Sequence, residues 1–520
     1  MKTVSFGLSV LVLFCATAKA AGQNPFDRRG VQWSPYLEWT VKNPKSQGNP
    51  FDIIATATFT HKQSGETRTT GMFYAGGDSW RFRLTATRAG GWTFTTQSKA
   101  TKLNGLRGKV RISANPKGSG FVVGVGNKWA QQRGTKGTPV AFIPQFVMYG
   151  HPKTFYRAPR QIDRDIKTLL LRHGFTGFHV PVFCRWFDIN QDRAAAIKTK
   201  DPNPDMRTFE ALELLITKVH AAGGCVHLWI WGDEQRTQTP AKWGINGMAD
   251  RRLQRYMAAR LGPLPGWTAG YGFDLWEWVK GPQLRKWHRH MHQQLGWSHM
   301  LGARAQKNKL TQIYDGLDYS SFEQHRPTYA TYVESISRRP DKPSFSEDRF
   351  RIRNSRTYRK KDYNEERTRR GLWHSAMAGG VANIWGNLLR NPRINSGGAA
   401  SEPYRHPHWI KTNAEFFRPR FLVDMKPDNR LTNGVCLRSK GKPSLLFYRE
   451  SCQSIRLDLS SLKRSQVAIA VDTKKPYIEI TLGSLPAKNQ TWSAPYKSDW
   501  AVAVGGNVAQ RHKGTKKKTR

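Results

Sequence analysis

The stretch Thr208–Gly232, TFEALELLITKVHAAGGCVHLWIWG, changes its period halfway along. Leu212, Leu215, Ile216 and Val219 recur three and four residues apart and share one face of a helix. Gly223 stands where a helix C-terminus needs a residue that tolerates left-handed backbone. CVHLWIW then runs apolar without interruption, as a strand does when it is buried on both faces of a parallel sheet. A helix followed by a buried strand is the unit of an α/β fold, and the chain repeats it. IDRDIKTLLLRHG ends as another helix on glycine, and further strands read from FIPQFVMY, FHVPVF, GFDLWEW, SHMLGAR, YSSFEQH, KPSFSED and VANIWG. With CVHLWIWG these make eight strands, the number of a (β/α)8 TIM barrel of about 250 residues. We place it at residues 138–417. No G-x-G-x-x-G follows the first strand, which argues against a doubly wound sheet.

The flanks keep a strand period of two. Residues 21–130 alternate through DIIATATF, MFYAG, SWRFRLTATRAGGWTFTT and GKVRISA, with a hairpin expected at Arg88-Ala89-Gly90-Gly91. This predicts an N-terminal β-sandwich. Residues 418–505, with SLLFYRES, SIRLDLS, VAIAVDT and AVAVGG, predict a smaller C-terminal β-sandwich, followed by a basic disordered tail at 506–520. Residues 1–20 carry Lys2, an apolar run from Val4 to Phe14 and Ala18-Lys19-Ala20, the pattern of a secretory signal peptide. The expectation is a secreted or periplasmic protein with no membrane span. Cys436 and Cys452 are close enough in the C-terminal region for a disulfide, which spacing alone leaves open, whereas Cys184 and Cys225 read as small buried hydrophobes.

Charge is the dominant global property: 84 Lys plus Arg oppose 37 Asp plus Glu, a formal net of +47. Such a surface attracts polyanions. Nucleic acid is one such class, and an anionic polysaccharide, whose sulfate esters present the same electrostatics as phosphates, suits an exported protein better. Between Arg338 and Arg370 thirteen basic residues meet six acidic ones, beside the end of the seventh strand.

A barrel places its chemistry at the C-terminal ends of its strands. There the sequence offers Arg185 on the second strand, Trp231, Asp233 and Glu234 on the third, and Glu277 on the fourth. The sixth gives His325, the seventh Glu347 and Asp348, and the eighth Trp385. Phe273, Leu275 and Glu277 are expected on one strand face, as are Phe345 and Glu347. Two glutamates across a barrel mouth are the equipment for cleaving a glycosidic bond.

On these residues the chain resembles the clan A retaining glycoside hydrolases, with glutamates ending strands four and seven, an arginine on strand two, a His or Tyr on strand six and a Trp on strand eight. The stretches YNEERTRRGLWHSAMAGGVANIWG and SWRFRLTATRAGGWTFTT are similar to apiosidase-like enzymes, in which an N-terminal sandwich, a barrel and a C-terminal sandwich occur together. The resemblance implies Glu277 as general acid/base and Glu347 as an ionised nucleophile held by cationic neighbours, with the two carboxyls about 5–5.5 Å apart. By position the resemblance adds Arg185, His325 and Trp385 as substrate contacts; apart from it, Trp231 and Trp276 are candidate stacking faces for sugar rings, and Asp348, Arg349 and Arg351, in the charged run that ends the seventh strand, are further candidate substrate contacts. Trp276 departs from the clan, which often has an asparagine before the acid/base to bond the sugar 2-hydroxyl: either another residue recognises that hydroxyl, or the substrate presents something different there, such as a sulfate or an anhydro ring.

The expected substrate is therefore a sulfated polysaccharide, with an algal galactan of the carrageenan or agar type favoured, and no cofactor or metal is called for. His288 and His292 share a helical face at metal-ligand spacing, but no acidic third ligand is near them in sequence, so a solvated helix is expected. Two alternatives stay open. One is a catalytically inert barrel that binds polyanions; the other is a polysaccharide lyase using Tyr271 or His325 as base.

Overall fold

The computed structural model describes residues 24–44, 47–191, 201–232, 239–241, 243–307, 314–324, 326–350, 364–386 and 406–506. At its centre eight parallel strands close into a barrel. In chain order these are Gln145–Met148, Gly177–Pro181, Cys225–Trp231 and Trp267–Gly272. The fifth is split into Leu301–Gly302 and Arg304–Lys307, and Ser320–Glu323, Ser344–Phe350 and Ala382–Trp385 complete the set. Each pairs in parallel with its neighbours, and the eighth returns to the first through Phe146 opposite Ile384.

The opening stretch folds as its periodicity requires. A helix spans Met206–Ala221, and Asp205 caps it by accepting the Arg207 backbone N–H at 2.9 Å. Leu212, Leu215, Ile216 and Val219 are fully buried against the barrel wall. Gly223, at φ +80°, lets the chain reverse into Cys225–Trp231.

The fourth strand lies earlier than expected. GFDLWEW reads as a strand because it is aromatic, yet the strand is WTAGYG, ending at Gly272. Asp274, at φ +51°, turns the chain into a 3-10 helix over Leu275–Glu277, so Phe273, Leu275 and Glu277 do not share a strand face. The glycines explain the choice. A Cβ at Gly270 would crowd Trp229 and the Tyr319 hydroxyl inside the barrel, so the residues that fit here are small and carry little strand signal.

The N-terminal region is two sheets packed face to face. Five strands, with Gly90–Ser98 and Ala55–His61 at their centre, oppose three that include Leu37–Lys42 and Ser79–Leu84. Trp39, Phe59, Phe82 and Phe94 fill the space between. The expected hairpin at Arg88–Gly91 is absent. Ser79–Leu84 pairs with Leu37–Lys42, whereas Gly90–Ser98 pairs with Ala55–His61, so this turn carries the chain between sheets.

Arg83 fastens the sandwich to the barrel helices. It donates to Glu38 at 2.8 Å, to Glu213 at 2.7 Å and to the Arg260 carbonyl at 2.8 Å. A three-stranded sheet over Ser119–Ala141 follows the sandwich, and its Trp129 donates to the Ser344 carbonyl at 3.0 Å, plugging the N-terminal end of the barrel.

The C-terminal region is one six-stranded antiparallel sheet, its longest strand pair broken by bulges near Cys452, with apolar clusters on both faces, sandwich-like in outcome. Cys436 and Cys452 are buried in it as free thiols, and no disulfide joins them; Cys184 and Cys225 are also buried and free. Among the described residues no helix is long and apolar enough to cross a membrane.

Candidate active site

Alternation along the strands decides which side chains enter the barrel. On the sixth strand and the residue before it, Tyr319, Ser321 and Glu323 point in; on the seventh, Phe345 and Glu347 do. Phe345 lies in the interior cluster, 4.8 Å from the His227 ring. Two residues later the seventh strand bulges: Ser346 pairs with Asn383, but the next residue to pair, opposite Ile384, is Arg349. Glu347 sits in this bulge. Such irregularities re-aim a side chain at the cost of ladder hydrogen bonds.

The Glu347 carboxylate is fully buried. Its Oε2 accepts from Trp229 Nε1 at 2.7 Å and its Oε1 from Ser321 Oγ at 2.6 Å. Burial pushes its pKa above the ordinary glutamate value, and Glu323 adds to the rise; the Ser321 hydrogen bond, the Arg304 charge and the Trp229 hydrogen bond only partly oppose it. The expected cationic cradle is therefore absent among the described residues. Two neutral donors hold the carboxylate, and one cation acts from a distance.

That cation is Arg304, which opens the second half of the fifth strand. It pairs with Asp274 at 2.6 Å and Glu323 at 3.1 Å, and its guanidinium lies 5.4 Å from the Trp229 ring centroid and 5.3 Å from that of Phe273. Arg304 thus fixes the indole that holds Glu347. Deeper in the barrel His179 and His227 meet at 2.7 Å between their Nδ1 atoms, and His227 reaches the Tyr319 hydroxyl at 3.0 Å. Burial lowers the His227 pKa to about 3, so the ring is neutral.

Glu277 occupies the 3-10 turn above the fourth strand, partly exposed, with its backbone N–H donating to the Asp274 carbonyl at 3.1 Å. Its neighbour Trp276 is 52% exposed and offers an open aromatic face at the C-terminal end of the barrel. Other expected site residues fall elsewhere. Trp231 is fully buried between Phe187 and Trp243, and Trp385 is fully buried with its Nε1 on Gln145 at 2.8 Å. Neither has a free face for a sugar ring. Arg185 lies past the second strand, in a 3-10 turn over Phe183–Trp186, and is 5% exposed.

Tyr271 is buried on the outer side of its strand against Trp278 and Trp287, too far into the core to serve as a lyase base. His325, Asp233, Glu234 and Arg351 lie outside the described residues, as do the side chains of Asp348 and Arg349. Of the basic run, Arg338 and Arg339 pair with Glu334 and Asp315, and Arg369 and Arg370 pair with Asp499, so these four arginines serve the fold.

Sequence reading missed Trp229, Asp274, Arg304, Ser321 and Glu323. A lone charge closing an apolar run, as in SHMLGAR and YSSFE, was the available signal.

The fold, a barrel between two sandwich-like regions, is similar to that of solved structures named as glycoside hydrolases. A presumed glycoside hydrolase from Bacteroides vulgatus superposes with a TM-score of 0.70 at 15% identity, covering 92% of this chain and 100% of that one. A family 5 glycoside hydrolase from the same organism gives 0.54 at 13% identity, over 75% and 94% of the two chains. A third structure, named only as a glycoside hydrolase, gives 0.54 at 12% identity, over 74% and 97%. At these identities the likeness is one of fold. Residues 30–99, within the N-terminal sandwich, match a family model described as a domain of unknown function, DUF5060. No curated protein matches the sequence.

Proposed function

We propose that the protein is an exported retaining glycoside hydrolase of the clan A type, apiosidase-like in its domain order, that cleaves a sulfated polysaccharide. The observation that carries this reading is Glu347, directed into the barrel at the C-terminal end of the seventh strand, where the strand bulges, and oriented by Trp229 and Ser321. In the proposed mechanism Glu347 attacks the anomeric carbon, while Glu277 gives its proton to the departing glycosidic oxygen. Glu277 then takes a proton from water, which releases the sugar with retained configuration. The glycosyl ester forms in a dry site where Trp229 and Ser321 keep both carboxylate oxygens in place.

Trp276 supplies a stacking face, and Arg185, His325, Asp348, Arg349 and Arg351 are the candidate contacts to substrate. The +47 formal charge supports an anionic substrate, and a sulfated galactan of the carrageenan or agar type remains the favoured class.

One observation favours a second reading. Glu347 is completely enclosed, as a structural carboxylate would be, which suits a barrel that binds glycan without cutting it. Reducing-end release from carrageenans, agars, porphyran, fucoidan, ulvan and glycosaminoglycans decides between them, with wild type run beside Glu277→Gln and Glu347→Gln. Cleavage of one sulfated polymer, lost in both variants, is the expected result. Equal binding of a polymer by all three proteins, with no cleavage by any, would establish the inert barrel.

A further inference from the structure

The helix Gly281–Leu295 carries His288 and His292 one turn apart, and both direct Nε2 at Asp318, just before the sixth strand. His288 Nε2 lies 3.0 Å from Asp318 Oδ1, His292 Nε2 lies 2.7 Å from Oδ2, and the two Nε2 atoms are 3.1 Å apart. The acidic third ligand that the sequence near the helix lacks thus arrives from 26 residues beyond His292.

One ligand atom from each of the three side chains lies within 4.8 Å of the other two. Two imidazoles that both carried Nε2 protons would repel at this separation, whereas a cation at the centre takes a lone pair from each. Tetrahedral zinc with bonds of 2.0–2.1 Å sets neighbouring ligand atoms about 3.3 Å apart, close to the 3.1 Å between the two Nε2 atoms.

We propose that His288, His292 and Asp318 form a divalent-cation site, with zinc the ion that suits two imidazoles and a carboxylate best. The three side chains are 17%, 31% and 24% exposed, which leaves room for water at a fourth position. Asp318 is aimed by its other contact: Oδ2 accepts the Leu301 backbone N–H at 2.8 Å. Leu301 opens the fifth strand and Asp318 leads into the sixth, so the site is at the N-terminal end of the strands, away from Glu347. The metal there clamps a helix onto two strands; it takes no part in the proposed hydrolysis, and the inference does not depend on that reading.

The test uses the full chain, stripped with EDTA and dialysed against zinc. The expected result is one zinc retained per chain, a melting temperature several degrees above that of the stripped protein, and a tetrahedral d–d spectrum with cobalt. His292→Gln, folded by circular dichroism, loses all three. Zinc retention and melting shifts equal in wild type and His292→Gln would overturn the proposal, as would no retention by wild type; the cluster would then be an ion pair only. If His292→Gln does not fold, His288→Gln is judged by the same criteria.

Discussion

Glu347 pairs a raised pKa with complete burial, and that combination has a sign. Its folded pKa lies above the value of an unfolded glutamate, so folding favours the protonated form. The associated stability is fully present below the unfolded pKa and is lost as pH rises through the folded value. The melting temperature of wild type relative to Glu347→Gln should therefore fall as pH is raised through that window; thermal melts of both proteins across the acid range measure it, and a constant difference would contradict the assignment. The same ionisation makes the proposed nucleophile, so kcat/KM should rise with pH over this range. Trp276 gives a cleaner test of binding. Because it is half exposed, Trp276→Ala should leave the melting temperature unchanged and weaken substrate binding by roughly 0.5–1.5 kcal/mol, about 2- to 12-fold in KM. The inward placement of Phe345 and Glu347, two residues apart on the seventh strand, was legible in the sequence because strand alternation sets it. Side-chain placement was hidden where the backbone left the strand, as at Asp274, because a left-handed turn at a non-glycine residue leaves no compositional trace.

Elements were more legible than roles. The helix Met206–Ala221 shows its cap, apolar face and terminating glycine within the stretch Asp205–Gly223, because helical contacts are local. Leu212 is fully buried on that face, so Leu212→Ala should cost about 2–5 kcal/mol, read as a lower denaturation midpoint with unchanged m-value. The fourth strand was less legible. WTAGYG owes its place to Trp229 and Tyr319 across the barrel, partners tens of residues away in the chain, while LWEW has the stronger local strand propensity and is not a strand. The same holds for Arg88–Gly91, where a local turn signal says nothing about which sheet each arm will join.

At the scale of the whole molecule, buried ion pairs join the three regions. Arg83 links the N-terminal sandwich to two barrel helices. At the other side Asp499 of the C-terminal sheet receives Arg369 and Arg370 from the helix Glu365–Met377. Burial alone would raise the Asp499 pKa, but the Arg370 hydrogen bond and the Arg369 charge bring it down to about 2. Its contribution is present above the ordinary aspartate value and is lost as pH falls from there towards 2. Asp499→Asn would leave the fully buried Arg369 short of a counter-charge and should destabilise the fold by about 3–5 kcal/mol at neutral pH, with the deficit shrinking in acid; denaturant unfolding at two pH values checks both parts.

The split at Ala303 gives the barrel a zip. Leu301 and Gly302 pair with the fourth strand and the strand from Arg304 onward pairs with the sixth, so at the split the two sides are tied by the Leu301–Asp318 contacts, where the Asp318 backbone N–H donates to the Leu301 carbonyl at 2.9 Å. A cylinder closed in this way parts most easily at one line. The first residue beyond that line is Arg304, which holds the indole against Glu347. Small separations along the zip would loosen the walls of the enclosed carboxylate first and let a polymer chain in without melting the barrel. Backbone amides around Ala303 would then trade hydrogen for deuterium ahead of those in the other seven strands.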